Sequence, residues 1–378
     1  MKRGPALEVG VPVRRGSSVT APIRVGDREV GVTFTATVDE VSDRSDLWLP
    51  VVLLPAMRLG ADVALPGAIS PRLLAGAAKA QTVVRRWWPD LAAVRVTAEA
   101  GAEPPVQRAD GAAALFSGGV DSFYTAWTNR DRLTALVFGH GLQAERRDHD
   151  PDLVASAREA ASDLGLELIE VTTDARSFSE PILNWNRYHG GVFAAAGLLL
   201  SRRVGRVHVP GWIAHGFEFP FGSHPDLDAL WSTEDVDVRY DGFEANRIEK
   251  IQTLAASDVA LRHLRVCPRD TGSRMNCARC EKCLRTMVAL RAVGALDRCE
   301  TFPHPVDLER IERLAIHSPG RLAEWQEAAA FLETSGDDPA LLRAIRRALR
   351  ASHAAGPRRA YWALRRFRRL RGQRRAPR

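Results

Sequence analysis

The sequence predicts an α/β protein: a parallel-sheet core, a β-rich segment before it and helices after it. Three observations carry this. From Ala112 onward, short apolar runs alternate with helical stretches of ten or more residues, the pattern of βαβ units. Before that, Glu29 to Val38 (EVGVTFTATV) alternates apolar and polar positions and is rich in β-branched residues, which favours strand. The last quarter of the chain has helical periodicity and ends in a run of arginines.

In chain order, residues 1–108 read as a β-rich domain. It contains a helix over 71–88, with Ser70 as N-cap, Pro71 in the first turn and Pro89 ending it. A strand is expected at Leu91 to Val96, then a polar linker with two prolines over 99–110. A second domain spans 109–300: strand Ala112 to Phe116, a glycine-rich turn, a helix from about Asp121 and strand Leu133 to Phe138. Helix Pro151 to Leu164, strand Glu167 to Val171, helix Val192 to Arg203 and strand Arg206 to Pro210 follow. Such a sheet holds ligands beyond the carboxyl ends of its strands. Helices flank a cysteine cluster in 240–300, and 301–378 forms a helical region with the arginine-rich tail.

The 378 residues are 45% hydrophobic and 26% charged, which excludes a fibrous or wholly disordered chain. The longest apolar stretch, Val192 to Leu200, is shorter than the ~20 residues a membrane span needs. No apolar core follows Lys2 and Arg3, so no signal peptide is expected and the expected location is cytoplasmic. The net charge of +7 conceals an asymmetry: Arg343 to Arg378 holds fourteen arginines and no acid, leaving −7 on the rest. That tail suits a nucleic acid or an acidic protein partner through its charge, with Tyr361, Trp362 and Phe367 available for stacking. Leu349, Tyr361, Leu364 and Phe367 equally suit an amphipathic helix packed on the body.

Ser117-Gly118-Gly119-Val120-Asp121-Ser122 joins a strand to a helix. Two glycines let backbone approach a ligand, and a helix start offers free N–H groups and a positive dipole end, which suit phosphate oxygens. Asp121 then fits as a cap or as part of a magnesium shell. No Gly-Lys-Ser/Thr follows, so this is not a Walker A loop. Of the five cysteines, Cys267, Cys277, Cys280 and Cys283 are spaced C-x9-C-x2-C-x2-C. Four thiolates suit tetrahedral zinc. A CxxCxxC run also occurs at iron–sulfur sites, but NCARCEKCLRTM passes straight into a helix and lacks a ferredoxin pattern. A site of four cysteines has no open position, so its expected role is structural. Cys299 stands apart and reads as a buried thiol. Arg279, Lys282 and Arg285 either tune the thiolates, face a phosphate or form a solvated basic surface.

The aperiodic stretch 210–233 (PGWIAHGFEFPFGSHPDLDALWST) follows a strand, and a long loop of this kind is commonly functional. His224, Asp226 and Asp228 are candidates for substrate or magnesium contacts, with His215 a weaker one. Arg187, which with His189 precedes a helix, suits a two-pronged grip on phosphate or carboxylate, or a surface role. Arg247 and Lys250 share a helix face, and Lys250 is a candidate for neutralising phosphate.

The hexapeptide from Ser117 to Ser122 resembles the signature of the PP-loop ATP pyrophosphatases. Residues 133–171 and the cysteine spacing resemble 7-cyano-7-deazaguanine synthases within that superfamily, and the likeness covers about residues 112–295. It implies ATP, Mg2+ and a structural Zn2+, with adenylation of a carboxylate or amide oxygen and displacement of AMP by ammonia or another nucleophile. Ser117, Gly118, Gly119, Val120, Asp121 and Ser122 would hold phosphates and magnesium, and Val137, Phe138 and Gly139 the adenine. Arg187 and Gly211 would join the nucleotide site, and Asp121, Asp226 and Lys250 would be catalytic. The partners implied are a small-molecule carboxylate and ammonia, a role in queuosine biosynthesis, and a chain free to form homo-oligomers. Departures are visible: Phe138-Gly139-His140 replaces the family's Tyr-Gly-Gln, and Ser223-His224-Pro225-Asp226-Leu227 replaces Tyr-Pro-Asp-Cys-Arg. They leave two alternatives: a tRNA-modifying enzyme, or a related protein that modifies a protein substrate or regulates a defence system.

Overall fold

A computed structural model describes residues 6–99, 109–142, 151–269, 275–302 and 305–354. The chain divides into two compact units, Met1–Trp212 with Pro220–Phe243, and Ile213–Phe219 with Glu244–Arg378.

The first unit opens with β1 (Leu7–Val9), β2 (Val13–Arg15), β3 (Ser18–Val25), β4 (Arg28–Ala36), α1 (Trp48–Leu59), β5 (Val63–Ala68), α2 (Pro71–Trp87) and β6 (Val96–Glu99). It continues with β7 (Gly111–Phe116), α3 (Val120–Asn129), β8 (Ala135–His140), α4 (Pro151–Asp163), β9 (Glu167–Thr173), α5 (Ala175–Ser179), α6 (His189–Leu199), β10 (Val204–Pro210) and β11 (Asp237–Asp241). Among the described residues all eleven strands join one sheet, ordered β11-β10-β7-β8-β9-β4-β3-β1-β5-β6, with β2 paired to β3. The five strands from β11 to β9 are mutually parallel, as expected for βαβ units.

The expected boundary near residue 108 is not where the chain divides. β4 lies antiparallel on β9, from Phe34 opposite Thr173 to Ala36 opposite Val171, so the amino-terminal strands extend the parallel sheet. The physical reason is edge protection: β9 would otherwise expose an unpaired row of N–H and C=O groups. The two parts also share a core: Phe34, edge-on against Trp48 at 5.8 Å, belongs to the same buried cluster as Val171 and Val192.

α1 is a helix within the segment expected to be β-rich. Its residues Trp48 to Met57 are all buried, so the sequence WLPVVLLPAM has no polar face and no 3.6-residue period to read. The helix over 71–88 forms as α2, with Ser70 Oγ accepting from the Leu73 N–H at 3.0 Å. Leu91 to Arg95 is irregular, and strand begins only at Val96. β11, short and polar, completes the sheet and was not expected.

The second unit holds α7 (Arg247–Leu254), α8 (Asp258–His263), α9 (Glu281–Ala292), α10 (Leu308–Glu312), α11 (Pro319–Ser335) and α12 (Pro339–Ala354). The cysteine cluster therefore belongs to this unit and not to the sheet-bearing one. A buried ion network ties three of its helices. Glu324 on α11 accepts from Arg247 Nε at 2.9 Å and pairs with Arg285 Nε at 3.0 Å, while Glu281 accepts from Trp325 Nε1 at 2.9 Å. Arg285 is thus neither a solvated surface cation nor open to a phosphate. α12 buries Leu341, Ala344, Ile345 and Ala348 and exposes Arg343, Arg346, Arg347 and Arg350. The rest of the arginine-rich tail, from residue 355, lies outside the described residues. No helix among the described residues is long and apolar enough to cross a membrane.

Phe34→Ala removes a fully buried ring at the junction of the two strand sets. The expected loss is about 3–5 kcal/mol. Denaturant unfolding should show one lowered midpoint for the first unit rather than selective loss of its amino-terminal strands.

Candidate functional site

β7 lies between β8 and β10. The chain leaves β7 for β8 and β9 on one side, then returns to form β10 on the other. The carboxyl ends of β7 and β10 therefore flank a topological switch point, where open α/β sheets bind ligands. Ser117-Gly118-Gly119 is the turn that leaves β7 at this point.

Gly118 has φ +72, a left-handed conformation that costs a non-glycine residue about 1–2 kcal/mol. Gly119 caps α3 with its backbone only. The Ser117 N–H donates to Ser122 Oγ at 3.2 Å, and that hydroxyl donates to Gly119 O at 3.0 Å. Ser122 is buried and closes the turn from within, so its hydroxyl braces the loop. Ser117 is exposed, and Asp121 lies half-buried in the first turn of α3. Among the described residues, the amides of Gly118, Gly119 and Val120 have no hydrogen-bond partner. Unpaired amides at the start of a ten-residue helix make a cradle for an anion.

β8 runs beside this turn. Val137 and Phe138 stand opposite Leu115 and Phe116 of β7, while Gly139 and His140 project further and pair only with β9. The side chains of Val137 and Phe138 are buried, so backbone is what this strand offers a ligand. His140 Nε2 lies 2.9 Å from Glu170 Oε2, and Arg158 Nε donates to Glu170 Oε1 at 3.0 Å. Burial raises the Glu170 pKa, but hydrogen bonds from His140 and Arg158 outweigh it and hold the carboxylate below its ordinary value.

Other expected site residues are engaged elsewhere. Arg187 makes its two-pronged contact with the chain's own Asp90, at 2.8 and 2.7 Å, and lies over the Trp88 ring. Gly211 is required by packing: a Cβ there would fall 2.1 Å from Tyr240 Cζ. Asp226 is exposed, and its N–H donates to His224 Nδ1 at 3.0 Å. His224 itself is buried against Trp87, with ring centroids 4.6 Å apart. Asp228 is fully buried and accepts from Ser223 Oγ at 2.6 Å and from the His224 N–H at 3.2 Å. These bonds fold the loop on itself, and burial pushes the Asp228 carboxyl up to about 7. Lys250 and His215 belong to the second unit, and Lys250 is buried in α7 at 2% exposure rather than lying on the helix surface.

In the second unit, the Sγ atoms of Cys267, Cys277, Cys280 and Cys283 all lie within 4.8 Å of one another. Cys267 to Cys280 is 4.0 Å and Cys277 to Cys283 is 3.8 Å, far beyond a disulfide bond. Four sulfurs around a tetrahedral ion at ~2.3 Å would stand roughly 3.8 Å apart, so the cluster fits a metal such as zinc. Backbone N–H groups of Arg279 and Cys280 point at Cys277 Sγ at 3.4 and 3.3 Å, and the Cys283 N–H at Cys280 Sγ at 3.5 Å. Such bonds orient and partly neutralise thiolates. Asn276 was not foreseen. Its buried Oδ1 accepts from the N–H groups of Val266 and Cys267 at 2.9 and 3.1 Å, and its Nδ2 donates to Leu264 O at 2.8 Å. It thereby pins the distant first ligand to the other three. Cys299 is a buried thiol outside the cluster, as expected.

No family model, curated protein or solved structure matches this chain.

Two outcomes follow from this geometry. The purified chain should carry one equivalent of a thiophilic metal by elemental analysis, and Cys283→Ser should lose most of it together with several degrees of Tm. Asp228 binds its proton more tightly when folded than unfolded, so its contribution to stability falls as pH rises from about 4 to 7. Asp228→Asn should therefore gain on the native chain across that range, by up to about 4 kcal/mol in unfolding free energy.

Proposed function

We propose that the first unit is an ATP-dependent, AMP-forming enzyme of the PP-loop type, which adenylates a carboxylate or amide oxygen and passes it to a nitrogen nucleophile. The observation that carries this reading is the row of unpartnered amides at Gly118, Gly119 and Val120, held at the sheet's switch point by the left-handed Gly118. Three donors and a helix start in that position favour a polyanion such as the pyrophosphate end of ATP. Ser117 adds an exposed hydroxyl, and Asp121 in the first turn of α3 would take part in a magnesium shell. The backbone of Gly139, which extends past the end of β7, would suit a base held by main-chain contacts.

What the chain supplies is orientation and charge stabilisation. A carboxylate oxygen is a poor leaving group and AMP a good one, so gripping the terminal phosphates while the inner phosphorus is attacked makes the later displacement accessible. The four cysteines would hold zinc as a structural ion, since a four-sulfur site leaves no position for substrate.

The test is incubation of metal-replete protein with ATP, Mg2+ and a panel of carboxylates, 7-carboxy-7-deazaguanine first, with AMP and pyrophosphate followed by mass spectrometry. Substrate-dependent AMP is expected. Ser117→Ala combined with Asp121→Ala should reduce it by at least about 100-fold. A metal-replete protein that binds no ATP would end this reading.

A further inference from the structure

α12 buries Leu341, Ala344, Ile345 and Ala348 where it packs on α10 and α11. In its last turn Ser352 Oγ accepts from the Ile316 N–H at 2.9 Å, so the helix is docked as far as it is described. Its outer side is arginine: Arg343, Arg346, Arg347 and Arg350 are all exposed. Two of the four are spent. Arg346 Nη2 lies 2.6 Å from Glu333 Oε1, and Arg347 Nη1 lies 2.7 Å from Glu312 Oε2. Other acids near the helix are taken as well, Glu309 by Arg313 at 3.0 Å and Asp338 by Arg291 at 2.7 Å. Arg343 and Arg350 have no ion pair among the described residues. They stand two helical turns apart on one side of α12, roughly 10 Å along its axis.

The chain then adds more of the same charge. Thirty-five of the first 342 residues are arginine, against fourteen of the next 36, so the run exceeds the chain's own usage about fourfold. It contains no lysine and no acid. Residues 355–378 lie outside the described residues and contribute ten of these arginines, with Tyr361, Trp362 and Phe367 set between them.

Charge of this density gathers counterions, and a polyanion that displaces them gains their entropy. Guanidinium forks match phosphate oxygens. An acidic protein would match the charge but leave the rings unused. A lipid surface would need an apolar helix face, and that of α12 is already buried. Aromatic rings interleaved with arginines suit the unpaired bases of a single strand.

We propose that residues 343–378 are a docking surface for single-stranded nucleic acid, with Arg343 and Arg350 holding phosphates on α12 and the aromatic-bearing run after it stacking on bases. The surface reads phosphate and base and not the sugar, so RNA and DNA strands are held alike. It depends neither on the turn at Ser117 nor on the AMP-forming reading.

The test follows the native full chain by fluorescence anisotropy with a labelled oligouridine strand of about 20 nucleotides, over about 50 to 300 mM KCl. An oligodeoxythymidine strand, a DNA duplex, polyglutamate and phosphatidylserine vesicles are compared with it. The uridine strand should bind with a Kd of about 10 μM or tighter at physiological salt, and log K should fall against log salt with a slope of about −4 to −7, from roughly six to ten phosphates. Arg343→Gln with Arg350→Gln should weaken binding about tenfold and flatten the slope by about 1.4 with Tm unchanged, because neither side chain makes an ion pair. Lys79→Gln with Arg86→Gln removes equal charge from the exposed side of α2, and should alter binding by no more than about twofold. Trp362→Ala should weaken the single strands about tenfold and leave the duplex unaffected. No binding of the uridine strand at physiological salt, or tighter binding of polyglutamate, vesicles or duplex, overturns the proposal. So does a slope that the α12 pair leaves unmoved or the α2 pair moves equally, or a Trp362→Ala chain that binds as the native one does.

Discussion

The functional reading of this molecule depends on three backbone N–H groups that no part of the described chain uses. Amides at a helix start must find a partner or face solvent, and most buried ones are satisfied within the fold. Those of Gly118, Gly119 and Val120 are kept free by two local features. Gly118 turns left-handed and swings the chain away from β7, and Ser122 Oγ ties the turn from its inner side. The sheet then places this turn where the connections on either side of β7 diverge, so no crossover covers it.

The amino-terminal strands serve this arrangement at a distance. By pairing with β9 they remove an exposed edge, and by sharing the core of α1 and α6 they fix the face of the sheet opposite α3. The Ser117–Ser122 turn is thus braced by a sheet much wider than its five parallel strands. The second unit is built on a different principle. Three of its helices are tied by the ion network around Glu324, and four thiols are poised for a metal. Removing one partner of that network would strand a buried charge, a cost of about 3–5 kcal/mol.

The loop following β10 shows how readily polar residues mislead. His224 and Asp228 carry the side chains of a catalytic site, yet both are buried and bonded within their own loop. Arg187 carries the fork of a phosphate clamp, yet it closes on Asp90.

Sequence determined the local chemistry. Ser117 to Ser122 announced a strand-to-helix turn with free amides because glycine conformation and helix capping are properties of a few adjacent residues. Cys277, Cys280 and Cys283 announced a thiolate site because their spacing wraps one turn, and Ser70 with Pro71 announced the start of α2. Tertiary structure decided what depends on partners far along the chain. It made α1 a helix where unbroken apolarity carries no period, joined β4 to β9, as far apart in the chain as Phe34 and Thr173, and drew Asn276 to the backbone of Cys267. It also decided which polar side chains are spent and which are available, because a hydrogen bond saturates a donor or acceptor and its partner's identity is not written in the neighbouring residues.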